Sequence, residues 1–303
     1  MLRQISPGDE MRGDLEWGTI PGLLDSAAER FGARDAVVDG DTRITFEHLR
    51  AAARHAAGAA IATGVEPGNR VAIWAPNIHE WIVAALGALY AGGVLVPINT
   101  RFKGREAGFV LQKSRAKLLF TVRGFLDIDY PQLLRDAGAA APSIVLLRGE
   151  GETEWDTFAK RGEEVDEALV DKRAAGITSD ALSDIIFTSG TTGQPKGVMT
   201  THAQSLRVFE VWSDIVGLRE GDRYLIVNPF FHTFGYKAGI LACLMRGATI
   251  VPHAVFDAGQ VMRRIGEEKI TVLPGPPTLY QSILNDPARA SLDLSSLRLA
   301  VTG

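Results

Sequence analysis

The chain has 303 residues, 46% of them hydrophobic, and a protein of this length and composition can bury a large core and form more than one lobe. Its 32 Lys and Arg residues against 36 Asp and Glu give a net charge of -4, without the basic excess of a nucleic-acid-binding protein. The single cysteine, Cys243, excludes an intrachain disulfide and a cysteine-rich metal site, and its apolar neighbours predict that it lies in the core.

The N-terminal sequence MLRQISPGDEMRGD has neither the apolar core nor the small-residue cleavage site of a signal peptide, so we expect a cytoplasmic protein. Residues 81–98 form an uncharged span that resembles a membrane helix in length. Gly92, Gly93 and Pro97 interrupt this span, and a β-branched stretch follows the glycines. The pattern therefore predicts a helix leading into a buried strand, and no transmembrane segment.

Helical and strand patterns alternate through the first part of the chain. Thr45 is the expected N-cap of an Ala-rich helix, and Gly64 is its expected end. The predicted elements are, in chain order, a helix at 19–31, a hairpin of strands at 35–39 and 43–46, a helix at 45–63, a strand at 70–76, a helix at 78–91, a strand at 94–99, a helix at 105–114 and a strand at 117–121.

Residues 148–180 are richer in charge and poorer in apolar periodicity than the rest. We interpret this region as a surface excursion between two lobes, with acidic side chains that stay in water rather than bind a metal. The chain is accordingly divided into a first α/β subdomain at 1–180 and a second, incomplete one at 181–303.

Alternation resumes after this region. The predicted elements are strands at 184–188 and 198–201, a helix at 203–216, a strand at 222–228, a loop leading into a helix at 229–247, a strand at 248–252, a helix at 258–267, a strand at 270–274, a helix at 277–284 and a strand at 297–301. Such alternation predicts an α/β fold, a mostly parallel sheet with helices on both faces. Ligands of such sheets bind beyond the carboxyl ends of the strands.

The sequence SDIIFTSGTTGQPKGVMTTH, residues 183–202, predicts a strand that opens into a phosphate-binding loop. Glycines let the backbone approach a ligand, the hydroxyls add donors beside the backbone N–H groups, and one lysine adds a mobile positive charge. Many convergent donors and a cation suit a polyphosphate. The candidate nucleotide-binding residues are Thr188, Ser189, Gly190, Thr191, Thr192, Gly193 and Lys196.

Two other interpretations of this loop are weaker. The Walker loop requires Gly-Lys followed by Ser or Thr and a helix, whereas Lys196 is followed here by Gly197 and a β-leaning run. Hydroxyl-rich loops are also often plain solvent-exposed turns. The full string TSGTTGQPKG is much more specific than such a turn.

This string resembles the signature loop of the adenylate-forming superfamily, which includes acyl-CoA synthetases, peptide-synthetase adenylation domains and firefly-type luciferases. The resemblance implies stacked, mostly parallel sheets flanked by helices. It also implies a carboxylic acid, ATP and coenzyme A as substrates, and Mg²⁺ as a cofactor, with residues 188–197 on the β- and γ-phosphates and Thr188 touching the metal. A homodimer is left open.

The stretch PFFHTFGY places His232 among aromatic residues. Such a histidine is commonly a satisfied core residue. The stretch is similar, however, to the motif that lines the carboxylate and acyl pocket of acyl-CoA synthetases. That resemblance implies that His232 orients the carboxylate or gates the thiol channel, with Phe231 and Phe234 as pocket walls.

The proline-rich stretch LPGPPTLYQSIL, residues 273–284, stiffens a strand-to-helix connection. In the resembling family the corresponding loop forms one wall of the acyl pocket, which makes Gly275, Pro276 and Tyr280 candidate substrate contacts. Gly303 would open the family's adenine-binding loop.

Within the family, NPFFHTFGYKAGILACL and ITVLPGPPTLYQSIL look very like ligases that activate a bicyclic propanoate left from steroid breakdown. A bulky acid with keto groups needs a wide pocket with a few polar contacts, which Tyr236 or Lys237 could supply. A lone lysine at a helix start more often extends to solvent. A medium- or long-chain fatty acid is the alternative substrate.

The resemblance covers only the front part of the family's architecture. The Tyr-Gly-x-Thr-Glu motif, the ribose-binding Asp, the hinge and the C-terminal domain with its catalytic Lys have no counterpart in these 303 residues. We therefore expect the 303 residues alone to form little or no thioester. A non-catalytic nucleotide- or acyl-binding module is the alternative from another class.

Overall fold

The computed structural model describes residues 12–148, 154–188 and 195–302. The strands in these ranges are β1 Asp35–Asp39, β2 Thr42–Thr45, β3 Arg70–Trp74, β4 Val94–Pro97, β5 Ala116–Phe125, β6 Ile128–Asp129, β7 Ser143–Arg148, β8 Leu182–Thr188, β9 Lys196–Thr201, β10 Arg223–Ile226, β11 Thr249–Pro252, β12 Val272–Pro274 and β13 Leu299–Val301. The α-helices are α1 Gly13–Glu16, α2 Ile20–Phe31, α3 Phe46–Ala62, α4 His79–Tyr90, α5 Gly104–Ser114, α6 Tyr130–Asp136, α7 Glu154–Lys160, α8 Glu167–Ala175, α9 His202–Ile215, α10 Thr233–Gly235, α11 Ala242–Arg246, α12 Ala258–Glu267 and α13 Pro277–Asn285.

Side-chain caps explain where several helices begin. The hydroxyl of Thr45 accepts a hydrogen bond from the backbone N–H of His48, as predicted for the start of α3. Helix α9 begins with a capping box, in which Thr201 and Gln204 each accept from the other's backbone N–H. Local sequence therefore sets these boundaries before any tertiary packing.

The strands form two sheets, each with a parallel centre. In the described residues the first sheet has the order β13-β12-β10-β11-β1-β2, and only its edge pair β1–β2 is antiparallel. The second has the order β6-β5-β3-β4-β8-β9, with β7 also paired to β5, and its antiparallel pairs are β5–β6 and β8–β9. The predicted stacked, mostly parallel sheets flanked by helices are confirmed.

The two sheets do not divide the chain at residue 180. Strands β1 and β2, from the first part of the chain, complete the sheet that contains β10 to β13. Strands β8 and β9 follow residue 180 and yet lie beside β4. Each sheet therefore takes strands from both of the proposed subdomains, which ties the two parts of the chain together.

Helix α4 lies in the middle of the molecule. It contacts β1 of one sheet and β3 and β4 of the other, and every residue from Trp81 to Tyr90 is buried. A helix that is apolar on all sides belongs in such an interior. The uncharged span at 81–98 is thus the core helix and strand that were predicted, and none of the helices in the described ranges has the length and apolarity needed to cross a bilayer.

The region between residues 122 and 180 corrects one prediction. The sequence did not reveal β6, α6 and β7, and the part of the surface excursion that is described, 154–180, contains α7 and α8. Phe158 of α7 is only 2% exposed and forms an aromatic cluster with Trp155 and Phe120. Trp155 and Phe158 thus anchor this charged segment to the second sheet. The interpretation as a surface excursion rested on the charge of the segment and did not take these two aromatic residues into account.

The segment at 229–247 also departs from its predicted form, a loop leading into one helix. It contains the short α10, a π-helix at Tyr236–Leu241 and then α11. A π-helix widens one turn and often lies at a functional site. The other predicted strands and helices are present, with ends shifted by a few residues.

Candidate active site

The carboxyl ends of the two sheets meet at a cavity of about 530 Å³. The second sheet contributes the residues after β4 and the end of β5, among them Thr100 and Phe125. The first sheet contributes residues after β10, β11 and β12, among them Phe231, Phe256 and Pro276. The cavity therefore lies where a parallel α/β fold is expected to bind ligands.

Residues 228–241, here named the aromatic–histidine segment, are held by the buried side chain of Asn77. The Asn77 amide nitrogen donates to the carbonyls of Ile226 at 3.0 Å and Asn228 at 2.9 Å. Its carbonyl oxygen accepts from the backbone N–H of Phe230 at 2.8 Å. Asn77 follows β3, so a residue from the second sheet fixes a loop of the first.

Gly235 lets this segment fold back on itself. A Cβ atom at this position would overlap the carbonyl oxygens of Asn228 and Pro229. The φ angle of Gly235 is -79°, so the requirement is close backbone approach rather than an unusual backbone conformation. The turn that presents Phe231 and His232 therefore requires a glycine at position 235.

His232 is exposed and caps α10. Its Nδ1 accepts a hydrogen bond from the backbone N–H of Phe234 at 3.3 Å, which leaves Nε2 to carry the proton of a neutral ring. Phe234 turns away from the cavity and packs edge-on against Trp212 of α9. Of the predicted substrate-binding residues, all but the cavity-lining Phe231 and Pro276 lie off the cavity wall.

Lys237 neither extends to solvent nor lines the cavity, as the two roles considered for it would require. Its side chain is only 4% exposed, so it does not extend to solvent, and its Nζ lies 2.9 Å from Oδ1 of Asp184. Burial lowers the pKa of Lys237 and raises that of Asp184, while the opposite charge of each residue works against the shift of the other. The charge of Lys237 is therefore taken up inside the protein, not by a substrate.

Tyr236 is also an interior residue and does not reach the cavity. Its ring packs against Trp81, its side chain is fully buried, and its hydroxyl has no hydrogen-bond partner among the described residues. Burial raises the pKa of this hydroxyl well above the ordinary value. The predicted polar contact from Tyr236 to a substrate keto group is therefore wrong for this geometry.

The proline-rich stretch places one predicted residue on the cavity wall and uses two for the frame. Pro276 lines the cavity, whereas the backbone N–H of Gly275 donates to the carbonyl of Val301 at 2.9 Å. The Tyr280 hydroxyl lies 2.7 Å from the carbonyls of both Leu273 and Val301. Gly275 and Tyr280 thus fasten β12 and α13 to β13.

The phosphate-loop hairpin consists of β8, β9 and the loop between them. Thr188 pairs with Lys196 at the end of the hairpin next to the loop, and both side chains are exposed. Within the described residues, the Thr188 hydroxyl donates a long hydrogen bond, 3.4 Å, to the carbonyl of Lys196. The loop is followed by a strand, which excludes the helix of a Walker loop. Five predicted loop residues and the last residue of the chain lie outside the described residues: Ser189, Gly190, Thr191, Thr192, Gly193 and Gly303.

A second cluster has the side chains of a metal site, namely Asp39, His79 and Glu80. Arg148 lies among them, 2.8 Å from Asp39 Oδ2 and 2.5 Å from Glu80 Oε1. Burial alone would raise the pKa of Asp39, but hydrogen bonds from His79 and Arg148 lower it to about 2. Because Arg148 already supplies the positive charge, we interpret the cluster as an ion network that joins α4 to β1 and β7.

Sequence reasoning missed Asn77, Asp184 and the far wall of the cavity around Phe256. The position of Asn77 after the strand residues and Pro76 was a usable signal, because polar residues at the carboxyl ends of parallel strands face the ligand edge. Asp184 was taken as part of an apolar strand run. A carboxylate inside such a run calls for a buried cation, and Lys237 supplies it.

Comparison with known proteins gives consistent matches along the chain. The family model described as AMP-binding enzyme matches residues 24–303. The 3-[(3aS,4S,7aS)-7a-methyl-1,5-dioxo-octahydro-1H-inden-4-yl]propanoyl:CoA ligase of Rhodococcus jostii strain RHA1 is 46% identical over 294 residues, which cover 94% of this chain and 57% of that enzyme. The enzyme of the same name from Mycobacterium tuberculosis strain H37Rv is 47% identical over 287 residues, covering 94% and 56%.

Among solved structures, the anthranilate CoA ligase AuaEII in complex with anthranoyl-AMP matches with a TM-score of 0.83 and 26% identity. The match covers 94% of this chain and 54% of that one. The chain thus spans a little over half the length of the curated relatives it matches.

Proposed function

Since the chain belongs to the AMP-binding enzyme family, we propose that it is the ATP- and acid-binding part of an acyl-CoA synthetase. The observation that carries this proposal is the cavity at the carboxyl ends of both sheets, with Phe231 and Pro276 on its wall. Its volume of about 530 Å³ suits a small-molecule pocket, for which the usual range is about 300–1,000 Å³.

The proposed reaction has two steps. In the first, a carboxylate oxygen attacks the α-phosphorus of ATP, and the bond to the pyrophosphate leaving group breaks. In the second, the thiol of coenzyme A attacks the acyl carbonyl carbon, loses its proton, and AMP leaves to give the thioester. Both co-substrates are cytoplasmic metabolites, so the proposal places the reaction in the cytoplasm.

The phosphate-loop hairpin supplies the charge for the first step. Lys196 is exposed at the end of the hairpin next to the loop. We propose that it binds the β- and γ-phosphates. Thr188 fits a Mg²⁺ ligand because it is exposed and its hydroxyl oxygen, which makes one long hydrogen bond of 3.4 Å among the described residues, is of the hard kind that Mg²⁺ prefers. When bound, Mg²⁺ neutralises charge on the phosphates as pyrophosphate departs.

His232 is proposed to orient the carboxylate. Because Nδ1 is already an acceptor from the backbone N–H of Phe234, a neutral ring offers Nε2–H as a donor. A donor aimed at one carboxylate oxygen leaves the other free to attack phosphorus. The exposed position of His232, next to the cavity-lining Phe231, is consistent with this role.

We propose a bicyclic, steroid-derived propanoate as the acid. The support is the substrate for which the Rhodococcus and Mycobacterium relatives are named and the sequence identity to them along nearly all of this chain. A cavity walled by aromatic and proline side chains suits a rigid ring system. The polar partners of the keto groups are not assigned to Tyr236 or Lys237, because both are interior.

ATP–pyrophosphate exchange by the full-length protein tests this function. We expect exchange with the bicyclic propanoate to exceed exchange with octanoate by at least about tenfold, because a shaped apolar pocket discriminates by about 10–200-fold. Preference for octanoate would retain the synthetase and overturn the steroid-derived substrate. Nucleotide binding without exchange for any acid would instead favour a binding module.

A further inference from the structure

The buried ion pair of Asp184 and Lys237 joins the two parts of the proposed site. Asp184 lies on β8, shortly before the strand ends at Thr188. Lys237 lies in the π-helix that directly follows His232 and α10. Their exposed side-chain fractions are 0% and 4%. The pair thus connects the phosphate-loop hairpin, on the second sheet, with the aromatic–histidine segment, on the first.

The carboxylate of Asp184 is fixed within the hairpin. Its Oδ2 accepts a hydrogen bond from the Ser183 hydroxyl at 2.7 Å, and the same hydroxyl lies 3.1 Å from the carbonyl of Thr200 on β9. Oδ1 lies 2.9 Å from the Lys237 ammonium nitrogen, which meets its charge. The ammonium group therefore binds a carboxylate that already accepts a hydrogen bond from its neighbour on β8.

Stability alone does not account for such a pair. Removing two charges from water costs several kcal/mol per ion, and well-packed apolar residues in place of a buried pair are often as stable or more so. What an ion pair adds is a fixed geometry, because a charge in the interior has few acceptable positions. Here that geometry relates a segment that lines the cavity to the strand that carries the phosphate loop.

We propose that Asp184 and Lys237 are a positioning pair that aligns the acid-binding segment with the phosphate loop. This inference rests on the proposed function, in which the carboxylate oxygen must reach the α-phosphorus in line with the leaving group. Neither residue touches a substrate. Misalignment of about 1 Å costs about 100-fold in rate, so one link between two separately anchored segments has a measurable effect.

The test compares single and double substitutions in the full-length protein. Lys237→Met leaves a buried carboxylate without its cation and is expected to lower both stability and activity. The double substitution Asp184→Leu with Lys237→Met removes both charges and is expected to restore the melting temperature. Tyr90→Phe is the matched control, since it removes a partly buried hydrogen bond to Asp25 at the far end of α4 from Asn77.

The decisive readout is kcat of ATP–pyrophosphate exchange in the stable double variant. We expect kcat to stay about 10–100-fold below that of the unmodified protein, with each KM changed by less than about threefold, because each half of the site is intact. Tyr90→Phe should lose stability and keep kcat. If the double variant regains full kcat with its stability, the pair is only structural and the inference is overturned.

The outcome also separates this inference from the proposed function. If the unmodified protein exchanges pyrophosphate and the double variant matches it, the synthetase function stands and the positioning role fails. If the unmodified protein exchanges with no acid, the proposed function fails, and the positioning role fails with it.

Discussion

The phosphate-loop hairpin and the aromatic–histidine segment are supported in different ways. The hairpin is open: Val198 and Met199 of β9 are 53% and 64% exposed, and Lys196 is exposed as well. The aromatic–histidine segment is enclosed, with every residue of its π-helix buried and its loop fastened by Asn77. In the proposed function the hairpin recognises charge and the segment recognises shape, and these two tasks place different demands on the surrounding structure.

A polyphosphate needs donors and a cation within reach, and exposed side chains can provide them. An acid with a defined carbon skeleton needs walls at fixed positions, which only a packed scaffold provides. Substitutions of exposed hairpin residues should therefore change activity without changing stability, whereas substitutions in the aromatic–histidine segment should change both. Three variants test this difference.

Lys196→Ala should have the largest effect on activity. Loss of a charged contact that stabilises the transition state lowers the rate by about 10²–10³-fold, and we expect this decrease in ATP–pyrophosphate exchange. Because Lys196 is exposed, the free energy of unfolding of the variant should differ from that of the unmodified protein by no more than about 0.5 kcal/mol. Lys113→Ala, at another exposed lysine, is the control and should leave both quantities unchanged. Equal rates for the two variants would remove Lys196 from the phosphate site.

Gly235→Ala should have the next largest effect, and it should appear first in stability. The added methyl group overlaps the carbonyl oxygens of Asn228 and Pro229, and overpacking of this kind costs about 1–3 kcal/mol or more. We expect a lower denaturant midpoint and a loss of acid-dependent exchange.

Gly259→Ala on α12 is the control for this substitution. A Cβ atom there meets nothing closer than 3.4 Å, so stability should stay the same or rise slightly. A Gly235→Ala protein as stable as the control would show that the segment can relax, and would weaken the contrast with the hairpin.

The same contrast explains what the sequence could predict. The hairpin residues Thr188 and Lys196 could be proposed for a phosphate site because hydroxyls, glycines and a lysine stand together in one string, and phosphate recognition depends on such local groups. The alternation of strands and helices likewise predicted the sheets, since local periodicity sets each element. The family's loop string supplied the rest of the assignment.

Contacts across the molecule could not be predicted in this way. The partners of Asn77 lie 149 to 153 residues later in the chain, and no local pattern encodes that separation. The partner of Lys237 could not be foreseen, because Asp184 lies on β8, far from Lys237 in the sequence. The π-helix was missed since its sequence differs little from that of an ordinary apolar helix.

Asn77→Ala gives the smallest effect of the three and the sharpest distinction. It leaves the backbone N–H of Phe230 and the carbonyl of Asn228 without their partner, whereas the carbonyl of Ile226 keeps the backbone N–H of His253, and we expect a loss of about 1–3 kcal/mol of stability. The groups that Asn77 binds belong to the chain segment that leads to the cavity-lining Phe231, and none belongs to the hairpin. We therefore expect KM for the acid to rise several-fold while KM for ATP stays constant. Asn69→Ala, at the other end of β3 and on an exposed turn, is the matched control and should change neither constant. A parallel rise in both KM values for Asn77→Ala would mean that Asn77 supports both regions. The hairpin and the aromatic–histidine segment would then differ in solvent exposure but not in how their structural support affects substrate binding.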